Sequence, residues 1–204
     1  MPVVRALSEA GVAVSIDTMN AETAVAAVDA GAVIVNDVSG GLADPELLRA
    51  IAPTGADVAL GHWRGPSSDM YARAEYVEVG REVAAELRER ADAAAAAGIP
   101  PARVILDPGI GFGKAGSQNW ALLRELPAVT GLGFRVLLGT SRKRFFTDVL
   151  GADAAEPRRD LATAVTSVLA EQIGVWAVRV HDVAATRDAL AVARAWREGG
   201  AWTP

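Results

Sequence analysis

A short glycine-rich stretch, Val104–Lys114 (VILDPGIGFGK), carries residues well suited to chemistry. Three apolar residues lead into Asp107, and Pro108 with the glycines that follow it makes the backbone turn. This pattern predicts a buried strand with a carboxylate at its carboxyl end. A carboxylate beside a hydrophobic strand needs a partner, and ligands bind at the carboxyl ends of strands in a parallel barrel. Asp107 is therefore a candidate ligand-binding residue.

Polar residues also follow the other apolar runs that the sequence predicts to be strands. They are Asp17, Asn36, His62, Asp107, Ser141–Lys143, Arg179 and His181. The carboxyl ends of parallel strands lie on one rim, so we expect these side chains to share a site there. Each also has a simpler interpretation, because the aspartates can bind loop amides and Asn36 can be a turn residue.

Acidic and basic residues of this set lie in different parts of the chain. The early strands supply carboxylates and an amide, whereas the last two supply Arg142, Lys143, Arg179 and His181. Cations beside a strand-to-helix turn late in a barrel are typical of a phosphate site, and carboxylates accept paired hydrogen bonds from a nitrogen heterocycle. The predicted ligand is a heterocycle with phosphate at one side. The alternative is that the cations form ion pairs with nearby aspartates, namely Asp148, Asp160 or Asp182.

Other chemistries have weaker support. Ser141 lies in GTSRK, which is not a nucleophile elbow, and GIGFG lacks the GxGxxG spacing of a dinucleotide site. A metal-dependent hydrolase is an alternative because His62, Asp107 and His181 end different predicted strands. However, HxH and HExxH spacings are absent, and a lone histidine is more often a hydrogen-bonding core or loop residue.

Alternating strands and helices must position these residues. We predict strands at 13–17, 32–36, 57–61, 104–107, 135–139 and 177–180. We predict helices at 3–10, 21–30, 75–97, 119–126, 158–172 and 184–197, with others starting near 45 and ending near 150. Asn20 and Asp44 are candidate caps, and 62–70 reads as a loop. The alternation predicts an α/β fold with a parallel sheet covered by helices, with six strands rather than the eight of a full barrel.

Composition narrows the class further. The chain has 204 residues, of which 51% are hydrophobic, so it can bury the core of a single domain over 1–204. Its net charge of −5 argues against nucleic acid or an anionic membrane as a partner. No apolar run reaches the roughly 18 residues that a membrane span needs. Without cysteine there is no disulfide or thiolate site, and we expect a cytoplasmic protein.

Six segments together resemble the dihydropteroate synthase family of pterin-binding barrels, and actinobacterial members in particular. They are SIDTM (Ser15–Met19), VNDVSGG (Val35–Gly41), GHWRG (Gly61–Gly65), LDPGIGFGK (Leu106–Lys114), GTSRKRF (Gly139–Phe145) and VRVHDV (Val178–Val183). The resemblance covers essentially the entire chain. It implies a (β/α)8 TIM barrel that joins 4-aminobenzoate to 6-hydroxymethyl-7,8-dihydropterin diphosphate, giving 7,8-dihydropteroate and pyrophosphate for folate synthesis.

The resemblance also implies roles by position. The pterin-binding residues would be Asp17, Asn36, Asp107 and Lys143, the pyrophosphate-binding residues Arg179 and His181, and the aminobenzoate-binding residues Phe112, Ser141 and Arg144. Asp107 and Lys143 are the expected catalytic residues. The implied reaction is an SN1-like substitution in which pyrophosphate leaves with the help of Mg2+. Family members are generally homodimers, so we expect a homodimer with small-molecule substrates.

The chain departs from the family pattern in three ways. Gly61 stands where members usually have methionine, and Arg144 stands where many have serine. The first two strands of the family, with a Mg2+-ligating asparagine, have no counterpart here, so no metal ligand is predicted in this chain. We expect the 204-residue chain alone to aggregate or to be inactive, because an open arc exposes strand edges. A related pterin-binding methyltransferase domain and a non-catalytic homologue are the alternative functions.

Overall fold

The strands follow the predicted order closely. A computed structural model describes residues 1–66 and 75–200. Its strands are β1 (Val14–Asp17), β2 (Ala32–Asp37), β3 (Asp57–Gly61), β4 (Val104–Asp107), β5 (Arg135–Leu138) and β6 (Ala177–Val178). All pairings are parallel, and each strand pairs with the next in the chain. This curled sheet is an arc of a (β/α)8 barrel, which confirms the predicted fold class and the six strands within the described residues.

Helices connect the consecutive strands. They are α1 (Pro2–Glu9), α2 (Ala21–Asp29), α3 (Leu47–Ile51), α4 (Val79–Ala96), α5 (Gly116–Arg124), α6 (Pro127–Thr130), α7 (Thr147–Leu150), α8 (Glu156–Gln172) and α9 (Val183–Glu198). Short 3-10 turns lie at Ala52–Thr54, Pro101–Arg103 and Arg144–Phe146. Within the part of the chain that the structure describes, no helix is long and apolar enough to cross a membrane.

Several helix boundaries differ from the prediction by two to four residues. The helix predicted from 75 begins at Val79, since the Glu82 carboxylate accepts the N–H groups of Val77 and Glu78 at 2.7 and 2.9 Å. The helix predicted from 158 begins at Glu156, because a proline fits the first turn of a helix. The helix predicted over 119–126 is α5, which starts three residues earlier.

The predicted caps and loops have mixed outcomes. The side chain of Asn20 accepts the N–H of Thr23 at 2.8 Å and caps α2, as predicted. The side chain of Asp44 accepts from Glu46 N at 3.0 Å, but α3 starts later than predicted. The last strand is shorter than predicted, although Arg179 N still donates to Leu138 O at 2.9 Å. Of the predicted loop at 62–70, residues 67–70 lie outside the described part.

The register of the central strands decides which side chains face the barrel interior. Val58, Leu60, Val104 and Leu106 pack in the core between the sheet and the helices. Side chains alternate along a strand, so Ile105 and Asp107 share the opposite, inner face. The paired residues Asn36 and Ala59 stand in line with Ile105 on that face. The acceptors of β2 and β4 therefore point to the same interior.

Candidate active site

Asp17 and Asn36 meet at the carboxyl ends of β1 and β2. The two residues are register partners, and Asn36 Nδ2 donates to Asp17 Oδ2 at 2.8 Å. Asn36 is buried, whereas Asp17 is exposed. The hydrogen bond uses the Asn36 amide N–H, so its carbonyl oxygen is left to accept from a ligand. The structure thus brings a carboxylate and an amide that were predicted to share one rim into direct contact.

Arg179 joins this pair to Asp107. Its Nη1 lies 3.5 Å from Asp17 Oδ2, and its Nη2 lies 3.8 Å from Asp107 Oδ2. Asp107 is buried, and its Oδ1 accepts the N–H of Gly109 at 2.8 Å. A Cβ at Gly139 would stand 3.2 Å from the Arg179 guanidinium, so glycine leaves room for this side chain. A cation and two carboxylates from three separate strands thus lie within contact distance.

Lys143 reaches the same rim from the loop after β5. Its Nζ donates to Ile110 O and lies 4.6 Å from the centre of the Phe112 ring. Burial lowers the pKa of Lys143 to about 8; the Asp107 carboxylate opposes this shift, and Arg179 adds to it. Gly111 has φ +80°, and a Cβ there would stand 3.0 Å from Lys143 Cδ, so both backbone and space require glycine.

Ser141 and His181 form a second contact on the rim. Ser141 Oγ lies 2.8 Å from His181 Nδ1 and accepts the N–H of His181 at 3.1 Å. Ser141 is buried and His181 is exposed. The structure therefore places a residue predicted for aminobenzoate against one predicted for pyrophosphate. The Ser141 hydroxyl is committed to orienting the imidazole.

A cavity of about 400 Å³ adjoins these groups. Its lining includes Phe112, Lys143 and Arg144, so two of the three residues predicted for aminobenzoate share it with the predicted catalytic lysine. Ser141 is not among the lining residues. Arg144 is exposed, which leaves its guanidinium accessible to an anion.

Two polar residues of the predicted rim serve the scaffold instead. Arg142 binds Asp160 through two hydrogen bonds of 2.9 Å and contacts Glu156 at 2.9 Å, so the ion-pair alternative holds for this cation. His62 is buried, with its Nε2 2.9 Å from Glu86 Oε2. Among residues 1–66 and 75–200, no three His, Cys, Asp or Glu side chains are grouped to hold a metal.

Three residues to which the sequence pattern gives no role hold the loop after β4. Lys114 donates to Gly109 O at 3.1 Å and to Phe112 O at 3.0 Å. The side chain of Asn119 accepts the N–H of Gly111 at 2.7 Å, and Tyr76 Oη donates to Gly113 O at 3.0 Å. The signal in the sequence was the glycine-rich loop itself, because such a loop leaves many backbone groups that need partners.

Comparisons with known proteins agree with this geometry. The family model described as "Pterin binding enzyme" matches residues 1–181. The chain belongs to this family of pterin-binding enzymes. The dihydropteroate synthase of Mycobacterium leprae is 48% identical over 98% of this chain and 72% of that protein. The dihydropteroate synthase of Synechocystis is 40% identical over 97% of this chain and 68% of that protein.

Solved structures give the same result. Dihydropteroate synthase from Thermus thermophilus in complex with 4-aminobenzoate aligns with a TM-score of 0.88 and 40% identity, covering 95% of this chain and 74% of that one. The enzyme from Xanthomonas albilineans in complex with 7,8-dihydropteroate aligns with a TM-score of 0.87 and 40% identity, covering 96% and 73%. The predicted resemblance is thus confirmed.

Proposed function

We propose that this chain catalyses the dihydropteroate synthase reaction on the rim formed by β1, β2, β4, β5 and β6, which sets the proposal against the expectation above that the chain alone is inactive. The substrates are 6-hydroxymethyl-7,8-dihydropterin diphosphate and 4-aminobenzoate, and the products are 7,8-dihydropteroate and pyrophosphate. The observation that carries the proposal is the contact of Arg179 with both Asp17 and Asp107. This contact places acceptors suited to a heterocycle next to a cation suited to an anion. A single substrate that carries both a ring and a diphosphate requires this arrangement.

The ring would bind on the acceptor side. Asp107 already accepts one backbone N–H, and its carboxylate has further lone pairs for the N–H groups of an amino-pyrimidinone. Asn36 offers its carbonyl oxygen to the same edge, and Asp17 holds the amide in that orientation. Burial of Asp107 and Asn36 strengthens these hydrogen bonds relative to those in water.

The substitution itself would proceed by loss of pyrophosphate. The C–O bond of the pterin methylene breaks, and the electron pair leaves on the diphosphate oxygen beside Arg179 and His181. The aromatic amine of 4-aminobenzoate then attacks the cationic methylene carbon and loses a proton. Lys143 lies between the Phe112 ring and Ile110 O, where it can orient both substrates, so that positioning supplies much of the rate.

We also propose that the reaction uses Mg2+ and that the protein is cytoplasmic. In the part of the chain that the structure describes, no group of three His, Cys, Asp or Glu side chains offers a protein-held metal site. Mg2+ is usually held by one or two carboxylates together with substrate phosphates, so we expect it to bind with the pterin diphosphate. The absence of cysteine is the support for a cytoplasmic location.

A homodimer is supported by the outer face of α8. Four apolar side chains spaced four residues apart are exposed there: Leu161, Val165 and Leu169 on α8, and Ile173 directly after its last residue. Such a spacing forms a continuous apolar stripe on a helix, and a second copy of the chain can cover it about a two-fold axis. Sedimentation of the wild-type chain and of Val165→Glu tests this proposal. We expect a dimer for the former and a monomer for the latter.

The reaction is tested by an assay of pyrophosphate release with each substrate present or omitted. We expect release of pyrophosphate together with 7,8-dihydropteroate only when both substrates and Mg2+ are supplied. A parallel titration with 6-hydroxymethyl-7,8-dihydropterin separates binding from turnover. Binding without turnover would support the non-catalytic alternative, and methyl transfer from a methylated pterin would support the methyltransferase alternative.

A further inference from the structure

The carbonyl groups of the loop from Gly109 to Gly113 are bound by long side chains from other parts of the chain. Lys114 Nζ donates to Gly109 O and Phe112 O, Lys143 Nζ donates to Ile110 O, and Tyr76 Oη donates to Gly113 O. Glycine-rich loops lose much conformational freedom when they are ordered. These side chains supply the hydrogen bonds that offset this cost.

Lys114 differs from the other donors in being almost fully buried, with 2% of its surface exposed. Its third contact is His62 Nδ1 at 3.0 Å, and the other nitrogen of that ring lies 2.9 Å from Glu86 Oε2. When Lys114 is protonated its nitrogen has no lone pair, so His62 Nδ1 accepts and Nε2–H donates to Glu86. A chain of hydrogen bonds therefore runs from the loop carbonyls through Lys114 and His62 to a carboxylate on α4.

The surroundings of Lys114 hold charges of both signs. The charged and titratable groups that face it are His62 and Arg64 after β3, Tyr76 before α4, Glu86 on α4, Asp107 on β4 and Lys143 after β5. Burial lowers the pKa of Lys114 to about 7, against the attraction of Asp107. Burial also lowers the pKa of His62 to about 4, so its ring is neutral and able to accept at neutral pH.

We propose that Lys114 is a positioning residue for the aminobenzoate site, because its buried ammonium fixes the Phe112 backbone and thereby sets the Phe112 ring against Lys143. Lys114 acts through the loop carbonyl groups that it binds, and it also lines the cavity beside Phe112 and Lys143. Loss of the ammonium frees two carbonyl groups and lets the ring and the Lys143 side chain shift together. The inference rests on the proposed function for its substrate, although its structural part can be tested alone.

Arg103 provides a matched control at the other end of β4. Its guanidinium donates to three carbonyl groups, at 2.8 Å to Ala56, 2.9 Å to Ala52 and 3.3 Å to Ile51. Arg103 therefore donates hydrogen bonds to the carbonyl groups of a loop on the opposite rim, as Lys114 does for the loop after β4. Lys114→Met and Arg103→Met each remove a cation that binds loop carbonyls, but only the first lies beside the proposed site.

The experiment compares the wild-type chain, Lys114→Met and Arg103→Met in two measurements. In steady-state assays we expect Lys114→Met to raise KM for 4-aminobenzoate about tenfold, the effect of losing one or two hydrogen bonds, with KM for the pterin diphosphate changed less than about twofold. In hydrogen exchange followed by mass spectrometry, peptides that cover 108–114 should exchange faster in Lys114→Met and unchanged in Arg103→Met. If Lys114→Met fails to fold, Lys114→Gln, which keeps an uncharged NH2 donor group, is measured in the same way.

The outcomes separate the two proposals. An unchanged KM for 4-aminobenzoate, or equal exchange of 108–114 in both methionine variants, overturns the role of Lys114. A wild-type chain that releases no pyrophosphate contradicts the proposed function, while the exchange comparison still decides whether Lys114 orders the loop. A purely structural role would lower the melting temperature of both variants and leave the ratio of the two KM values unchanged.

Discussion

The two ends of β4 use similar chemistry for different purposes. At the amino end Arg103 donates to three carbonyl groups, and nearby Arg135 pairs with Asp57 at 2.9 Å. At the carboxyl end Asp107 faces Arg179 across 3.8 Å, a distance that leaves both groups able to bind something else. At the amino end the polar groups are paired at hydrogen-bond distance. At the carboxyl end the charged groups lie close together, but Arg179 and Asp107 are farther apart than a hydrogen bond.

This difference locates function more reliably than the presence of charge does. Ion pairs occur on both rims, but the buried lysines whose pKa is lowered, Lys114 and Lys143, lie at the carboxyl end. Groups whose proton affinity is shifted by burial and by a named charge are typical of binding sites. The comparison therefore assigns stability to the amino rim and ligand binding to the carboxyl rim, as in other barrels of this class.

The largest expected effect comes from Asp107→Asn. The amide keeps an acceptor for Gly109 N but loses the charge and one acceptor for the pterin, so we expect pterin affinity to fall about a hundredfold. Titration calorimetry with 6-hydroxymethyl-7,8-dihydropterin measures the change. Asp57→Asn on the amino rim is the control and should bind pterin like the wild type. Equal losses of pterin affinity in the two variants would contradict the assignment of ligand binding to the carboxyl rim alone.

We expect the free energy of unfolding to change with pH because His62 has different pKa values in the folded and unfolded chain. The unfolded chain protonates this histidine near pH 6.5, whereas the folded chain does so near pH 4 because the ring is buried. Between these values the unfolded state binds more protons, so the free energy of unfolding falls as the pH is lowered, by roughly 3 kcal/mol. Urea unfolding at pH 6.5 and pH 4 measures it. The difference in unfolding free energy between the two pH values should shrink in His62→Gln and persist in Arg103→Met. If it persisted in both variants, His62 would not be its cause.

Arg179→Met should weaken pyrophosphate binding about twentyfold, since a charge-assisted contact to the leaving group is lost. Arg135→Met, which removes the cation paired with Asp57 on the amino rim, serves as its control. Competition against a fluorescent pterin diphosphate analogue reports both affinities. If Arg135→Met weakened binding as much, the anion site would not lie on the predicted rim.

The smallest effect is expected from Asp160→Asn. Arg142 has φ 56°, an uncommon conformation for a residue other than glycine, and its paired hydrogen bonds to Asp160 hold it there between Ser141 and Lys143. Weakening that pair should raise KM for 4-aminobenzoate about threefold, because the loop loses part of its support. Steady-state kinetics measure this change. An unchanged KM would show that the loop holds its conformation without Asp160.

Much of this arrangement could be predicted from the sequence because it depends on local patterns. The bounds of β3 and β4 match the prediction, since apolar runs that end at glycine or before proline leave little choice of register. The convergence of Asp17, Asn36 and Asp107 with Arg179 followed from parallel topology alone, because every strand delivers its carboxyl end to one rim.

Contacts between distant residues could not be predicted in this way. Lys114 is bound to His62, which lies 52 residues away in the chain, and only the folded sheet brings the two together. Arg142 looked like its neighbour Lys143 in the sequence, but Asp160 on α8 turns it away from the site. Burial of a lysine and the partner of an arginine are tertiary properties, and residue type alone does not determine them.

The most direct test of the central claim is a competition measurement on the wild-type chain. If the acceptors and the cations form one site, pterin diphosphate should be displaced both by 6-hydroxymethyl-7,8-dihydropterin and by pyrophosphate, while those two ligands bind together without competing. Pterin diphosphate that binds as tightly at saturating pyrophosphate as in its absence would contradict a shared site.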